Sequence, residues 1–183
     1  MDAPARLNAA TTPAAYPVAA VVVMGVSGCG KTTIGQLLAD HLHWQFIEGD
    51  VFHSDGNRAK MQAGIPLTDA DRHTWLNVLG SELAAGKDAG VVLSCSALKR
   101  AYRQQLRDFV PDLRFIWLDV ARNAAQTRVA SRGNAHFFPT TLIDNQFQTL
   151  EPPHQEGGLL RVDGQDPPVN IVRSAASWLT QVA

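Results

Sequence analysis

The chain has 183 residues, 45% hydrophobic and 18% charged, with 16 Lys and Arg against 17 Asp and Glu. That length suffices for one α/β domain with a buried core, and a net charge of −1 leaves no electrostatic footprint for nucleic acid or an anionic membrane. Cys29 and Cys95 are the only cysteines, too few for a disulfide framework or a thiolate metal site, and no apolar run reaches membrane-spanning length, so a cytoplasmic location is expected.

Residues 1–17 are rich in Ala, Pro and Thr without hydrophobic periodicity. They read as a flexible extension ahead of one domain over 18–183. Val18–Met24 is apolar and β-branched, as a buried parallel strand requires. It runs into Gly25-Val-Ser-Gly-Cys-Gly-Lys-Thr32, which meets the phosphate-binding pattern G-x-x-x-x-G-K-[ST] at every fixed position. Gly25, Gly28 and Gly30 let the backbone turn tightly, so that the N–H groups of the loop, Val26, Ser27 and Cys29 included, approach phosphate oxygens. Lys31 reaches the β- and γ-phosphates and the Thr32 hydroxyl ligates Mg²⁺. With Thr33 they open a helix whose N-terminal dipole faces the same anion. ATP and Mg²⁺ are therefore the expected cofactors. Ile34, Leu37, Leu38 and Leu42 form the apolar face of that helix. Cys29, beside the helix N-terminus, is either a redox-sensitive thiol or simply a small side chain in the loop.

Gln45–Ile47 is a short second strand ending at Glu48-Gly-Asp50. Carboxylates at i and i+2 of an extended segment share a side, so Glu48 and Asp50 are expected to face the phosphate loop together. Glu48 then holds a Mg²⁺-bound water and Asp50 accepts the proton of an attacking hydroxyl. A helix is expected over 57–63, stopped by Gly64 and Pro66. Another runs from a capping box at Thr68–Asp71 to about Ala85, with Trp75, Leu76, Leu79 and Leu83 as its apolar stripe. Arg58, Lys60 and Arg72 on this stretch suit a substrate that carries a carboxylate.

Gly90–Cys95 reads as the third strand, followed by a basic helix over 99–109. Ser96, Lys99 and Arg103 are expected to face an acceptor pocket. No Asp closes this strand, where many phosphate-loop proteins carry one for the metal, so Thr32, Glu48 and Asp50 form the expected metal set. Leu113–Leu118 is the fourth strand and 123–131 a helix. Arg128 and Arg132 share one of its faces, and 133–139 reads as a lid that brings an arginine, Arg132, over the transferring phosphoryl group. A helix over 140–150 is broken by Pro152-Pro153. Leu159–Val162 is the fifth strand, Asp163–Pro168 a polar turn, and 169–182 a closing helix. This alternation predicts an α/β fold of the P-loop NTPase type. Its five-stranded parallel sheet has the order 2-3-1-4-5, with helices on both faces and ligands at the carboxyl ends of the strands. The guanine-reading N-K-x-D motif is absent, so a small kinase is favoured over a GTPase.

Several blocks resemble gluconokinases of the small phosphate-loop type, akin to shikimate and nucleoside-monophosphate kinases. They are Met24–Thr32, Glu48–His53, Asn57–Leu76 with its K-M-x-x-G-x-P-L-x-D-x-D-R-x-x-W-L run, Cys95–Arg103, and His136-Phe-Phe with Gln146–Pro153. The likeness covers about residues 18–182. It implies ATP-dependent phosphorylation of D-gluconate at the 6-hydroxyl, giving 6-phosphogluconate and ADP, in a homodimer. It also implies acceptor contacts from Asp50, His53, Arg58, Lys60, Arg72, Ser96, Lys99, Arg103 and His136. Arg128 joins the nucleotide site, with Asp163, Gln165 and Pro167 on the adenine side. Three departures stand out: Ala135 where the family usually has Gly, an Arg132-to-His136 spacing one residue longer than the family's, and Glu48 where Asp is common. Two alternatives stay open. One is a same-fold kinase for another sugar acid, since acceptor choice can turn on one hydrogen bond. The other is an ATP-binding switch without phosphotransfer, which the retention of Lys31, Thr32, Asp50 and Arg132 argues against.

Overall fold

The centre of the molecule is β1 (Ala20–Met24), every residue of which is buried. The computed structural model describes residues 19–131 and 140–181. The extension at 1–17, Arg132, Ala135 and His136 lie outside the described residues. Around β1 stand β2 (Gln45–Glu48), β3 (Val91–Ser94), β4 (Arg114–Asp119) and β5 (Leu159–Asp163). All neighbours pair in parallel, in the order β2-β3-β1-β4-β5. The connecting helices are α1 (Lys31–Leu42), α2 (Asp55–Gln62), α3 (Asp69–Gly86), α4 (Arg100–Phe109), α5 (Arg122–Ser131), α6 (Thr140–Thr149) and α7 (Pro168–Leu179).

Alternate residues of each strand enter opposite layers, as the two-residue period of a strand requires. Val21, Val23, Val92, Ile116 and Leu118 pack with α1 and α7. Val22, Met24, Leu93, Phe115 and Trp117 pack with α3 and α4. A sheet covered on both faces explains why β1 is an unbroken apolar run and why β3 and β4 carry consecutive apolar residues, Val91–Leu93 and Phe115–Leu118.

The helices follow local signals. The capping box of α3 is complete: Asp71 N–H donates to Thr68 Oγ1 at 3.2 Å, and Thr68 N–H donates to Asp71 Oδ2 at 2.9 Å. Helix α2 starts two residues before the expected Asn57, because Ser54 Oγ accepts from Asn57 N–H at 3.2 Å and caps it. Leu37 departs from the expected apolar face of α1 and is 42% exposed, whereas Ile34, Leu38 and Leu42 are buried. The cause is Phe46 of β2, which lies so close to Gly35 that a Cβ there would sit 2.6 Å from its ring. The helix therefore turns its Gly35–Ala39 side inward and Leu37 out.

Candidate active site

The phosphate loop joins β1 to α1 at the carboxyl end of the sheet. Gly28 has φ +82°, and a Cβ there would meet the Ala125 carbonyl oxygen at 2.6 Å. Only glycine lets the loop lie this flat against α5. Lys31 Nζ folds back across the loop and donates to the Val26 carbonyl at 3.1 Å. Thr32 Oγ1 donates to Glu48 Oε2 at 2.6 Å, joining the start of α1 to the end of β2. Hydroxyl and carboxylate oxygens are hard donors of the kind Mg²⁺ takes, alongside waters and phosphates.

Arg128 reaches from α5 to donate to the carbonyls of Cys29 at 3.3 Å and Gly164 at 2.9 Å. It thereby spans the phosphate loop and the β5–α7 turn. A cavity of about 410 Å³ opens between them, lined by Gly30, Thr33, Arg128, Gln165, Pro167 and Ile171 among others. Most residues expected at the nucleotide thus meet in one place. Asp163 lies just beyond, in a neighbouring cavity with Asp119 and Arg161, and shapes the turn by accepting from Gln165 N–H at 2.8 Å. The Cys29 thiol is 1% exposed. Burial raises its pKa, and the opposing charges of Lys31 and Arg128 do not overcome that. A protonated, inaccessible thiol does not support the redox reading.

At the end of β2 the expected extended segment from Glu48 to Asp50 is absent. The strand ends at Glu48 and the backbone turns at once into a 3₁₀ helix, Gly49–Phe52. Gly49 packs so tightly on β3 that a Cβ would sit 2.4 Å from the Ser94 carbonyl oxygen. Asp50 takes its direction from this turn, with Oδ1 3.9 Å from His53 Nε2. His53 is 4% exposed and stacks on Trp75, ring centroids 4.1 Å apart. Trp75 in turn anchors the turn by donating to the Gly49 carbonyl at 2.8 Å. Burial, then the charges of Arg72 and Arg58, lower the His53 pKa from 6.5 to about 4. The ring is neutral at pH 7. Among the described residues its Nδ1 and the Ser94 Oγ are buried without a hydrogen-bond partner.

The basic candidates divide. Lys60 pairs with Asp71 at 2.7 Å, Lys99 with Asp69 at 2.8 Å, and Arg58 with Asp55 at 3.0 Å. Hydrogen bonds from Lys60, then from Thr68, hold the Asp71 carboxyl at about 2. Arg72 is different: its guanidinium lies over the Tyr102 ring at 5.9 Å, and among the described residues no carboxylate pairs with it. Ser96 is buried and joins the loop after β3 to the phosphate loop by accepting, through its carbonyl, from Gly25 N–H at 3.3 Å.

Arg103 corrects the expectation that it faces an acceptor. Its guanidinium is fully buried, paired with Glu156 at 2.5 Å and bonded to the carbonyls of Ala97, Leu98 and Glu151. Burial opposes ionisation of Glu156, but the bonds from Arg103 and Arg107 outweigh it and hold that carboxyl below the usual range. Arg103 acts as a brace. It fixes the loop after β3, in which Ala97 adopts the left-handed φ of 43°, a conformation a non-glycine residue keeps only when its surroundings enforce it.

Comparison with known proteins places this geometry. Residues 21–153 match the protein family described as an AAA domain. A gluconokinase from Gluconobacter oxydans (strain 621H) is 44% identical over 152 residues, 81% of this chain and 84% of the relative. The chain belongs to the gluconokinase family. The crystal structure of a gluconokinase from Sinorhizobium meliloti 1021 superposes with a TM-score of 0.81 at 43% identity, covering 90% of this chain and 92% of the other. An unliganded sugar kinase from Janibacter sp. HTCC2649 gives a TM-score of 0.83 at 42% identity, covering 89% and 95%. The family resemblance read from the sequence blocks and the 2-3-1-4-5 sheet are both borne out. Sequence reasoning missed three residues that shape this gluconokinase-family site: Ser94, Ala97 and Gln146, whose Oε1 accepts from Ser27 N–H at 2.6 Å. Ala97 and Gln146 each had a signal, their places in the Cys95–Arg103 and Gln146–Pro153 blocks; Ser94 had none.

Proposed function

We propose that this protein transfers the γ-phosphoryl group of ATP to the 6-hydroxyl of D-gluconate. The observation that carries the reading is identity of 44% to a gluconokinase across four-fifths of the chain, on a fold with a complete phosphate loop. The cavity between Arg128, Gln165 and Pro167 fits a nucleobase, and the loop with Lys31 fits the phosphates. Thr32 and Glu48 would hold Mg²⁺, which neutralises charge on the phosphate oxygens when bound.

The acceptor lies, on this reading, beside the Gly49–Phe52 turn. Arg72, which pairs with no carboxylate among the described residues, takes the gluconate carboxylate as a bidentate partner. The unpartnered His53 Nδ1 and Ser94 Oγ meet hydroxyls of the polyol chain, since buried polar atoms require partners. Lys60 and Lys99, already paired, set the positions of Asp71 and Asp69. In the transfer step the 6-hydroxyl oxygen bonds to the γ-phosphorus while the bond to the β–γ bridging oxygen breaks, and the hydroxyl proton passes to Asp50. ADP and 6-phosphogluconate leave.

A homodimer in the cytoplasm, with no nucleic-acid or membrane partner, completes the proposal. The dimer is what the family resemblance implies, and the net charge of −1 gives no electrostatic footprint for nucleic acid or an anionic membrane. The test is ADP release from Mg·ATP against D-gluconate, epimeric sugar acids, shikimate and nucleoside monophosphates. Turnover confined to D-gluconate supports the proposal. Turnover with another acid and none with D-gluconate moves the specificity elsewhere.

A further inference from the structure

The Gln146 hydrogen bond has no part in the chemistry described above, yet it is short and spans 119 positions of sequence to the third residue of the phosphate loop. The same segment has a second grip five residues on. Glu151 N–H donates to the Leu98 carbonyl at 2.9 Å, and Arg100 N–H donates to Glu151 Oε2 at 2.7 Å. The N-cap of α4, Lys99, makes no side-chain capping bond, so Glu151 supplies the missing cap from a distance. A carboxylate there also complements the helix dipole. The Glu151 carbonyl further accepts from the Arg103 brace at 3.1 Å. Between the two grips, Leu150 packs against both apolar layers and its N–H closes on the Gln146 carbonyl at 2.9 Å. The segment is held as one piece. One end rests on the nucleotide loop. The other rests on the turn that carries Lys99, which pairs with Asp69, one helical turn before Arg72.

We propose that Gln146 is a positioning residue that couples nucleotide binding to acceptor binding, through Ser27 at one end and the Leu98–Arg100 turn at the other. The inference rests on the phosphotransfer reading above. A phosphate settling on the loop fixes Ser27, and the Gln146–Glu151 segment carries that order to the acceptor side. The two substrates then bind more tightly together than apart. Coupling of this kind is reciprocal by thermodynamic necessity.

The experiment is calorimetric titration of the full chain with Mg²⁺ and a non-hydrolysable ATP analogue, with and without saturating D-gluconate, and the reverse titration. For the native protein we expect each ligand to bind at least about fivefold more tightly when the other is saturating than when it is absent. In Gln146→Ala that ratio falls to near one, while the melting temperature and the D-gluconate affinity without nucleotide hold. Gln146→Glu keeps an oxygen that accepts the Ser27 N–H. It retains the ratio even if its charge weakens nucleotide binding, because that cost appears in both arms. Native-like coupling in Gln146→Ala, in a protein that phosphorylates D-gluconate normally, overturns the inference and leaves the activity standing. A native protein that neither binds nor phosphorylates D-gluconate overturns both.

Discussion

His53 makes stability depend on pH in a predictable window. Its imidazole is sealed between Trp75 and the Gly49–Phe52 turn, and its pKa falls from 6.5 to about 4 through burial and the charges of Arg72 and Arg58. Between those two values the unfolded chain binds a proton that the native chain refuses. Stability is therefore full above the unfolded pKa and is lost as pH falls toward the folded one. Integrating over the shift, passage from pH 7 to pH 5 costs about 2 kcal/mol from this one group. Asp71, held at about 2, titrates below the window and does not mask the effect. Urea unfolding at both pH values, for the native protein and for His53→Gln, isolates it. The native protein should lose about 2 kcal/mol more than the variant on acidification. Equal losses in the two proteins would refute the buried, neutral histidine.

Three further substitutions probe separate parts of the account. Lys31→Ala removes the cation of the phosphate loop and should lower kcat by about 100-fold or more in a coupled ADP assay, with the fold unchanged by circular dichroism. Arg72→Met should raise the KM for D-gluconate about tenfold or more, as loss of a charged hydrogen-bonded partner does, and leave the KM for ATP nearly unchanged; an equal rise in both would remove Arg72 from the acceptor site. Arg103→Met leaves the partly buried Glu156 carboxylate to Arg107 alone and removes the donor to the buried Ala97 carbonyl; it should destabilise the protein by about 1–3 kcal/mol, read by urea denaturation, whereas a residue that only touched substrate would leave the midpoint in place.

The sheet was legible because its strands are short apolar-rich segments between strong punctuation, β1 wholly apolar, and the strand–glycine loop–helix order admits few topologies. The Thr68–Asp71 capping box and the Trp75–Leu83 stripe were legible for the same reason: both are local. The errors arose where distant residues decide. Leu37 faces out because Phe46 claims the opposite side of α1. The sequence points Arg103 at an acceptor pocket beside Ser96 and Lys99, but its acid is Glu156, 53 positions away. Asp50 was assigned by strand geometry, and the close approach of Gly49 to Ser94 replaces that strand with a turn. Gln146 could be quoted from sequence but given no contact, since nothing local reveals a bond to Ser27.

The most direct test of the central claim is phosphorus-31 NMR of the product formed from Mg·ATP and D-gluconate by the native protein, with Asp50→Asn alongside. The account predicts a single phosphomonoester coupled to the C6 protons, with ADP in equal amount, and a product signal at least about 100-fold slower to appear in the variant. A phosphate on any other carbon, or no ester while ATP is still bound, would contradict it.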